Sequence, residues 1–298
     1  MNAKIIGLGE VLWDLLPTGR LMGGAPANFT CQARALGADA NLISRVGDDD
    51  LGREILRSLT RAGINVQTVG VDPELPTGTV SVTLSGDGQP QFTINANAAW
   101  DRIDAGDVCL RAAEKCDAIC FGTLAQRSAA SRRAIMKILD HVPARALRIL
   151  DVNLRPPFVD SAIIQASLLR ANALKLNEHE LPALAGMLGL TEASAAGQLR
   201  ELGDRFGLRL IALTRGSAGS VLWSPDQVVE RPGIAVNVVD SIGAGDAFTA
   251  AMTLAYLRGW DLDRINQFAG EVAAFACSHA GATTALDQYE TFRRQILQ

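Results

Sequence analysis

The chain has 298 residues, 48% hydrophobic and 20% charged, with a formal net charge of −4. That is enough apolar material for one large α/β domain or two small ones. The balance excludes a polybasic nucleic-acid binder and a charged tail. No run reaches the ~18 apolar residues of a membrane span, and Glu10 and Asp14 interrupt any leader-like stretch at the start. The cysteines Cys31, Cys109, Cys116, Cys120 and Cys277 show no CxxC or His-rich spacing. They predict reduced, mostly buried thiols in a cytoplasmic protein, without a zinc site.

In chain order, Lys4 to Gly9 reads as a short apolar strand, followed by a long loop. Ala25 to Leu36 has helical spacing and stops at Gly37; Ala40 to Val46 is a strand, and Leu51 to Ala62 a helix ending at Gly63. The rhythm then changes. Val66 to Val71, Thr79 to Leu84 and Gln91 to Ala96 alternate apolar and polar residues, with turn signals at Asp72-Pro73 and Gly86-Asp87-Gly88. Alternation implies one wet face, so these segments predict a small exposed sheet. After Trp100 the β–α rhythm returns, with buried strands at Ala118–Phe121, Arg148–Val152, Ala173–Leu176 and Leu210–Leu213. A late hairpin, Gly219–Trp223 with Gln227–Arg231, turns at Ser224-Pro225-Asp226, and long helices close the chain. The expected fold class is α/β: one domain over residues 1–298, with a mostly parallel sheet covered on both faces. Lid segments at about 10–22 and 64–100 would overhang the C-terminal strand ends, where ligands bind in open α/β sheets.

The segment Val239-Asp240-Ser241-Ile242-Gly243-Ala244-Gly245-Asp246-Ala247-Phe248 carries the most chemistry. Glycines let successive amides point into one concavity, and a helix N-terminus beneath adds partial positive charge. Such a pocket suits a phosphoryl group. Asp246, in the first helical turn, is placed to take a proton from an attacking hydroxyl. Gly7-Leu8-Gly9 lacks the third glycine of a dinucleotide fingerprint, and no lysine follows a glycine as a P-loop requires.

The Asp240–Asp246 string resembles the D-T-x-G-A-G-D signature of the ribokinase-like sugar kinases (the PfkB family), with Ser241 in place of the usual Thr. Gly23-Gly24-Ala25-Pro26-Ala27-Asn28 resembles the family's N-terminal G-G-x-x-x-N in the form typical of fructokinases. Gly9-Glu10-Val11-Leu12-Trp13-Asp14 resembles its G-E-x-x-x-D opening. The resemblance implies a ribokinase-like three-layer αβα sandwich with a β-sheet lid. It implies a kinase in which Asp246 is the base and the Gly243, Ala244 and Gly245 amides hold the transferring phosphate. Asp14, Gly24 and Asn28 would orient the sugar. Asp151-Val152-Asn153-Leu154-Arg155 matches the family's D-x-N-x-R and would place Arg155 near sugar or phosphate. Asn177 and Glu180 match N-x-x-E, associated with Mg²⁺ held through water. Thr214, Gly216 and Gly219 match T-x-G-x-x-G, which lines the nucleotide, and Gly281 lies in the closing G-A segment near the adenine. Asp240, with the backbone at Ile242, would complete a monovalent-cation (K⁺) site.

The expected reaction is ATP-dependent phosphorylation of a primary hydroxyl, with fructose first among substrates. The lid strand Gln91 to Asn97 carries no Arg to neutralise an acid sugar such as 2-keto-3-deoxygluconate. Ribose and aminoimidazole riboside remain alternatives, as does a non-catalytic sugar-binding regulator on the same fold. An exposed lid edge also predicts a homodimer.

Overall fold

The computed structural model describes residues 2–16, 19–84, 90–283 and 288–297. In β1 (Lys4–Leu8), Ile5 packs into one apolar layer while Ile6 and Leu8 pack into another, and all are essentially inaccessible to water. Burial on both faces is why such strands read as unbroken apolar runs. Among the described residues nine strands form the central sheet. Their order is β13 (Gln227–Arg231), β12 (Ser220–Ser224), β11 (Leu210–Thr214), β10 (Ala173–Asn177), β9 (Leu147–Asp151), β8 (Ala118–Phe121), β1, β4 (Asp39–Gly47) and β5 (Val69–Asp72). Pairing is parallel from β11 through to β5, and β12 and β13 add an antiparallel hairpin at one edge.

Helices α1 (Ala25–Ala35), α8 (Ala244–Leu257), α9 (Leu262–Cys277) and α10 (Glu290–Leu297) cover the face that holds Ile5. Helices α3 (Asp107–Glu114), α4 (Ala129–Asp140), α5 (Ser161–Leu168), α6 (Glu180–Leu188) and α7 (Ala195–Phe206) cover the other. The result is the three-layer α/β/α arrangement expected from the alternating elements. Helix α2 (Asp50–Arg61) contributes Ile55 and Leu59 to a smaller core that also takes in Trp13 and Val46. Four cysteines are buried and Cys277 is half-buried; none forms a disulfide.

Four further strands make a separate small sheet in the order β3 (Gly19–Gly23), β2 (Leu12–Leu16), β6 (Gly78–Leu84) and β7 (Pro90–Ile94). The β2–β6 pair is parallel and the other two are antiparallel. Two expectations are corrected. The segment after Gly9 is not a long loop but enters this sheet as β2 and β3. The strand expected at Val66–Val71 is not part of the small sheet: β5 joins the main sheet, with Ser44 opposite Val69. Val69 is buried and Val71 exposed in β5, so the strand carries the mixed polarity of a half-wet sheet although it pairs in the main one. The lid segment drawn at 64–100 therefore overreaches at both ends, since Trp100 lies wholly in the main core. The turn expected at Gly86-Asp87-Gly88 lies outside the described residues.

Candidate active site

The C-terminal ends of the parallel strands bring the chemical groups together. Helix α8 begins with Gly243 in the left-handed region (φ 78°). There the first-turn amides point out of the chain path, unpaired by the helix itself. Ala244 N–H donates to the Ser241 carbonyl at 3.3 Å, a long turn bond. The amides of Gly245 and Asp246 have no acceptor among the described residues. A cradle of amides thus faces outward over a positive helix end. Gly245 itself is helical, not turned. Its missing side chain makes room beneath: a Cβ there would lie 2.9 Å from Lys175 Nζ. The expectation that Gly245 serves backbone turning is corrected to close approach of that ammonium.

Asp246 is buried, and one carboxylate oxygen accepts from Asn28 Nδ2 at 2.8 Å. Its pKa is raised to about 6, first by burial and then by the Asp151 carboxylate. Lys175, the Asn28 hydrogen bond and Arg155 oppose the rise. A buried carboxylate poised there is a competent proton acceptor near neutrality. Asn28 comes from α1, whose N-cap is Gly24; the Gly24 carbonyl accepts from the Asn28 amide at 2.9 Å. The two sequence motifs richest in glycine therefore meet across 218 residues of chain through one hydrogen bond.

Lys175 lies in β10 with its ammonium 3.1 Å from Asp151 Oδ1, and both side chains are more than nine-tenths buried. Glu10, just past β1, is buried, and its Oε2 has no partner among the described residues. Burial lifts its pKa to about 7; Arg155 pulls it down and Asp246 pushes it up. A cavity of about 10 Å³, room for a single water, is lined by Glu10, Pro26, Cys120, Thr123, Asp151 and Asn153 among others. Asp14, on β2 of the small sheet, is half-buried; burial raises its pKa and Arg155 opposes. Arg155 is exposed and is the one cation felt by Glu10, Asp14 and Asp246 alike.

The remaining expected residues brace loops. Glu180 is buried and accepts from the Leu154 and Asn177 amides, each at 2.8 Å, while Asn177 Oδ1 accepts from the amides of His179 and Glu180. Each oxygen of Glu180 thus accepts one amide hydrogen bond and keeps a second lone pair. Among the described residues no cluster of three His, Cys, Asp or Glu side chains could hold a metal by itself. Asp240 accepts from the Ile242 and Gly281 amides, tying the cradle loop to the closing segment. The Thr214 carbonyl accepts from the Glu178 amide, and the turn carrying Gly216 follows on the next strand end. At Gly219 a side chain would overlap the Arg231 carbonyl, so the edge hairpin itself requires glycine there.

A family model for pfkB family carbohydrate kinases matches residues 18–288. The chain belongs to the pfkB family of carbohydrate kinases. It is 31% identical to a fructokinase of Klebsiella pneumoniae, over 99% of this chain and 100% of that protein. The crystal structure of an uncharacterized sugar kinase from Pyrococcus horikoshii superposes with a TM-score of 0.85 at 27% identity, covering 99% of each chain. A fructokinase of Vibrio cholerae, in its fructose, ADP and calcium ion bound form, gives a TM-score of 0.77 at 25% identity over 95% of this chain and 96% of that one. This pfkB kinase is accordingly a sugar phosphotransferase. Two buried groups of its site, Glu10 and Lys175, had no role assigned from sequence. The signal for Lys175 was present: a charged residue inside the apolar strand Ala173-Leu174-Lys175-Leu176.

Proposed function

We propose that this kinase transfers the γ-phosphoryl group of ATP to a primary hydroxyl of a small neutral sugar, with fructose as the preferred acceptor. One observation carries the reading: a buried carboxylate, Asp246, sits in the first turn of α8 beside amides without acceptors, with its pKa raised to about 6. The sugar hydroxyl would lie against Asp246 and give up its proton as it attacks phosphorus. The amides of Gly243, Ala244 and Gly245 would receive the charge on the equatorial oxygens. Asp14 and Asn28 would hold the other hydroxyls, and Arg155 would offset the surrounding carboxylates. Thr214, Gly216 and the segment around Gly281 would border the nucleotide. Hydrated Mg²⁺ would be held through water by Asn177 and Glu180, and when bound it screens charge on phosphate oxygens.

Fructose is supported by the fructokinase relatives and by the lid strand, which has no Arg to meet a sugar carboxylate. The test is ADP release with fructose, 2-keto-3-deoxygluconate, ribose and aminoimidazole riboside at fixed ATP and Mg²⁺. Fructose should give the highest kcat/KM. Turnover on the acid sugar with none on fructose overturns the substrate choice. In Asp246→Asn, kcat should fall by about 10²–10⁴ with sugar KM little changed. Retention of more than about a tenth of wild-type turnover rules out the base role.

A further inference from the structure

We propose that Lys175 is a positioning residue for phosphoryl transfer: its buried ammonium, held by Asp151, forms the floor under the first turn of α8 and sets the charge on Asp246. The proposal rests on Asp246 being the base. Its geometric support is independent of that role. Lys175 occupies the interior of β10 between Leu174 and Leu176, both fully buried, as a single charged residue in an otherwise apolar stretch of strand. A buried ammonium is costly to desolvate, and replacing such ion pairs by apolar groups is often neutral or stabilising. Packing therefore gives no reason for this lysine. Its surroundings do. The ammonium lies 3.1 Å from Asp151 Oδ1 and would touch any side chain placed at Gly245, the residue just before the base. A helix N-terminus and a cation thus stack beneath one spot, and both favour negative charge there.

The charged and titratable groups around Asp246 come from every side. Asp151 is at the end of β9 and Lys175 on β10; Arg155 follows β9, and Glu10 follows β1. Cys120, on β8, stays a neutral thiol because burial and nearby carboxylates raise its pKa well above the ordinary value. Asn28, from α1, is neutral and donates. Among these, Lys175 is the buried cation, and Arg155 is solvent-exposed. Of the two cations, the buried one acts on Asp246 more strongly than the exposed one, and only the Asp151 carboxylate outweighs it among the charges. Asp151 holds the ammonium in place but raises the proton affinity of Asp246, so the two partners act on the base with opposite sign.

That opposition gives a test that structural damage alone would not imitate. The readout is the acid limb of the kcat/KM profile for fructose, which reports the free enzyme. In Lys175→Met the limb should move up by about one pH unit, roughly a tenfold loss at pH 6, with sugar KM at pH 8 within threefold of wild type. In Asp151→Asn it should move down, because the ammonium then acts on Asp246 without a competing carboxylate. Lys175→Arg keeps the charge and should leave the limb near its wild-type position. An unmoved limb in Lys175→Met, or movement in the same direction for the Met and Asn variants, overturns the proposal. Should Lys175→Met fail to fold, Asp151→Asn decides alone: a lowered limb supports the proposal and an unmoved one overturns it. Asp246→Asn is assayed alongside. If it stays active the base role has failed; if it is inactive and the limb is unmoved, only the role of Lys175 has failed.

Discussion

Asp246 and Glu10 are both buried carboxyls with raised pKa, but they bear on different observables. Asp246 must be ionised to accept a proton, and its pKa is raised to about 6. Wild-type kcat/KM should therefore be level above pH 7 and fall about tenfold per unit well below 6; a limb near the ordinary Asp value of 3.8 would contradict the burial that raises it. Glu10 shifts from 4.5 to about 7, with burial as the leading cause. A folded-state pKa above the unfolded one means the stabilising contribution is complete below 4.5 and is lost as pH rises through 7. The loss amounts to about 3 kcal/mol. Glu10→Gln should consequently gain stability relative to wild type between pH 5 and pH 8, by an amount of that order, read from urea midpoints at each pH. A pH-independent difference would mean that Glu10 is as solvated folded as unfolded. Neither carboxyl's state was legible in the sequence. The loop-to-helix junctions and Asp246 were read from motif order, but burial and the facing Asp151 and Lys175 depend on strands far apart in the chain.

At the level of elements, α8 does two jobs, and Gly243 is where they meet. Its φ of 78° starts the helix in the direction that exposes the first amides, and a side chain there would overlap Ala282. The Ala282 carbonyl is itself held by Gln32 Nε2 at 2.7 Å, so the segment cannot move aside without releasing α1. Gly243→Ala should lose roughly 2–3 kcal/mol, about half from the left-handed backbone and the rest from the overlap. Its kcat should fall more than its sugar KM rises. Adding Ala282→Gly removes the overlap but not the backbone cost, so thermal denaturation should show partial recovery. Full recovery would put all the strain in the contact. The elements that carry this cradle were legible because their periodicity is clean: β1, β8, β9, β10 and β11 are buried on both faces, and α1 and α8 open with glycine. The misread elements are of two kinds: β5 is the edge strand of the main sheet, and β2 lies inside the small one. β5 mixes buried Val69 with exposed Val71, and Leu12 to Leu16 was hidden between acids and glycines that look like loop.

At the scale of the whole molecule, the small sheet must be fastened to the core if Asp14 is to meet the same ligand as Asp246, and Arg127 makes that attachment. Its Nε and Nη2 donate to the two Asp101 oxygens at 2.8 Å, and Nη2 also donates to the Asn95 carbonyl at 2.8 Å, just beyond β7. The guanidinium lies 3.9 Å from the Trp100 ring centroid and 4.8 Å from that of Phe158. A bidentate, stacked and largely buried arginine is not replaceable by lysine. Arg127→Met should lose about 3 kcal/mol, much of it from leaving Asp101 unpaired, and should raise sugar KM several-fold by loosening the lid base. The double variant Arg127→Met/Asp101→Asn removes the orphaned charge and should regain part of the stability. It should not regain sugar KM, because the Asn95 carbonyl still lacks its donor. Urea unfolding and fructose saturation curves on the three variants separate the two effects. If KM recovers together with stability, Arg127 acts only through Asp101 and the small sheet is held by its other contacts with the core, Trp13 among them.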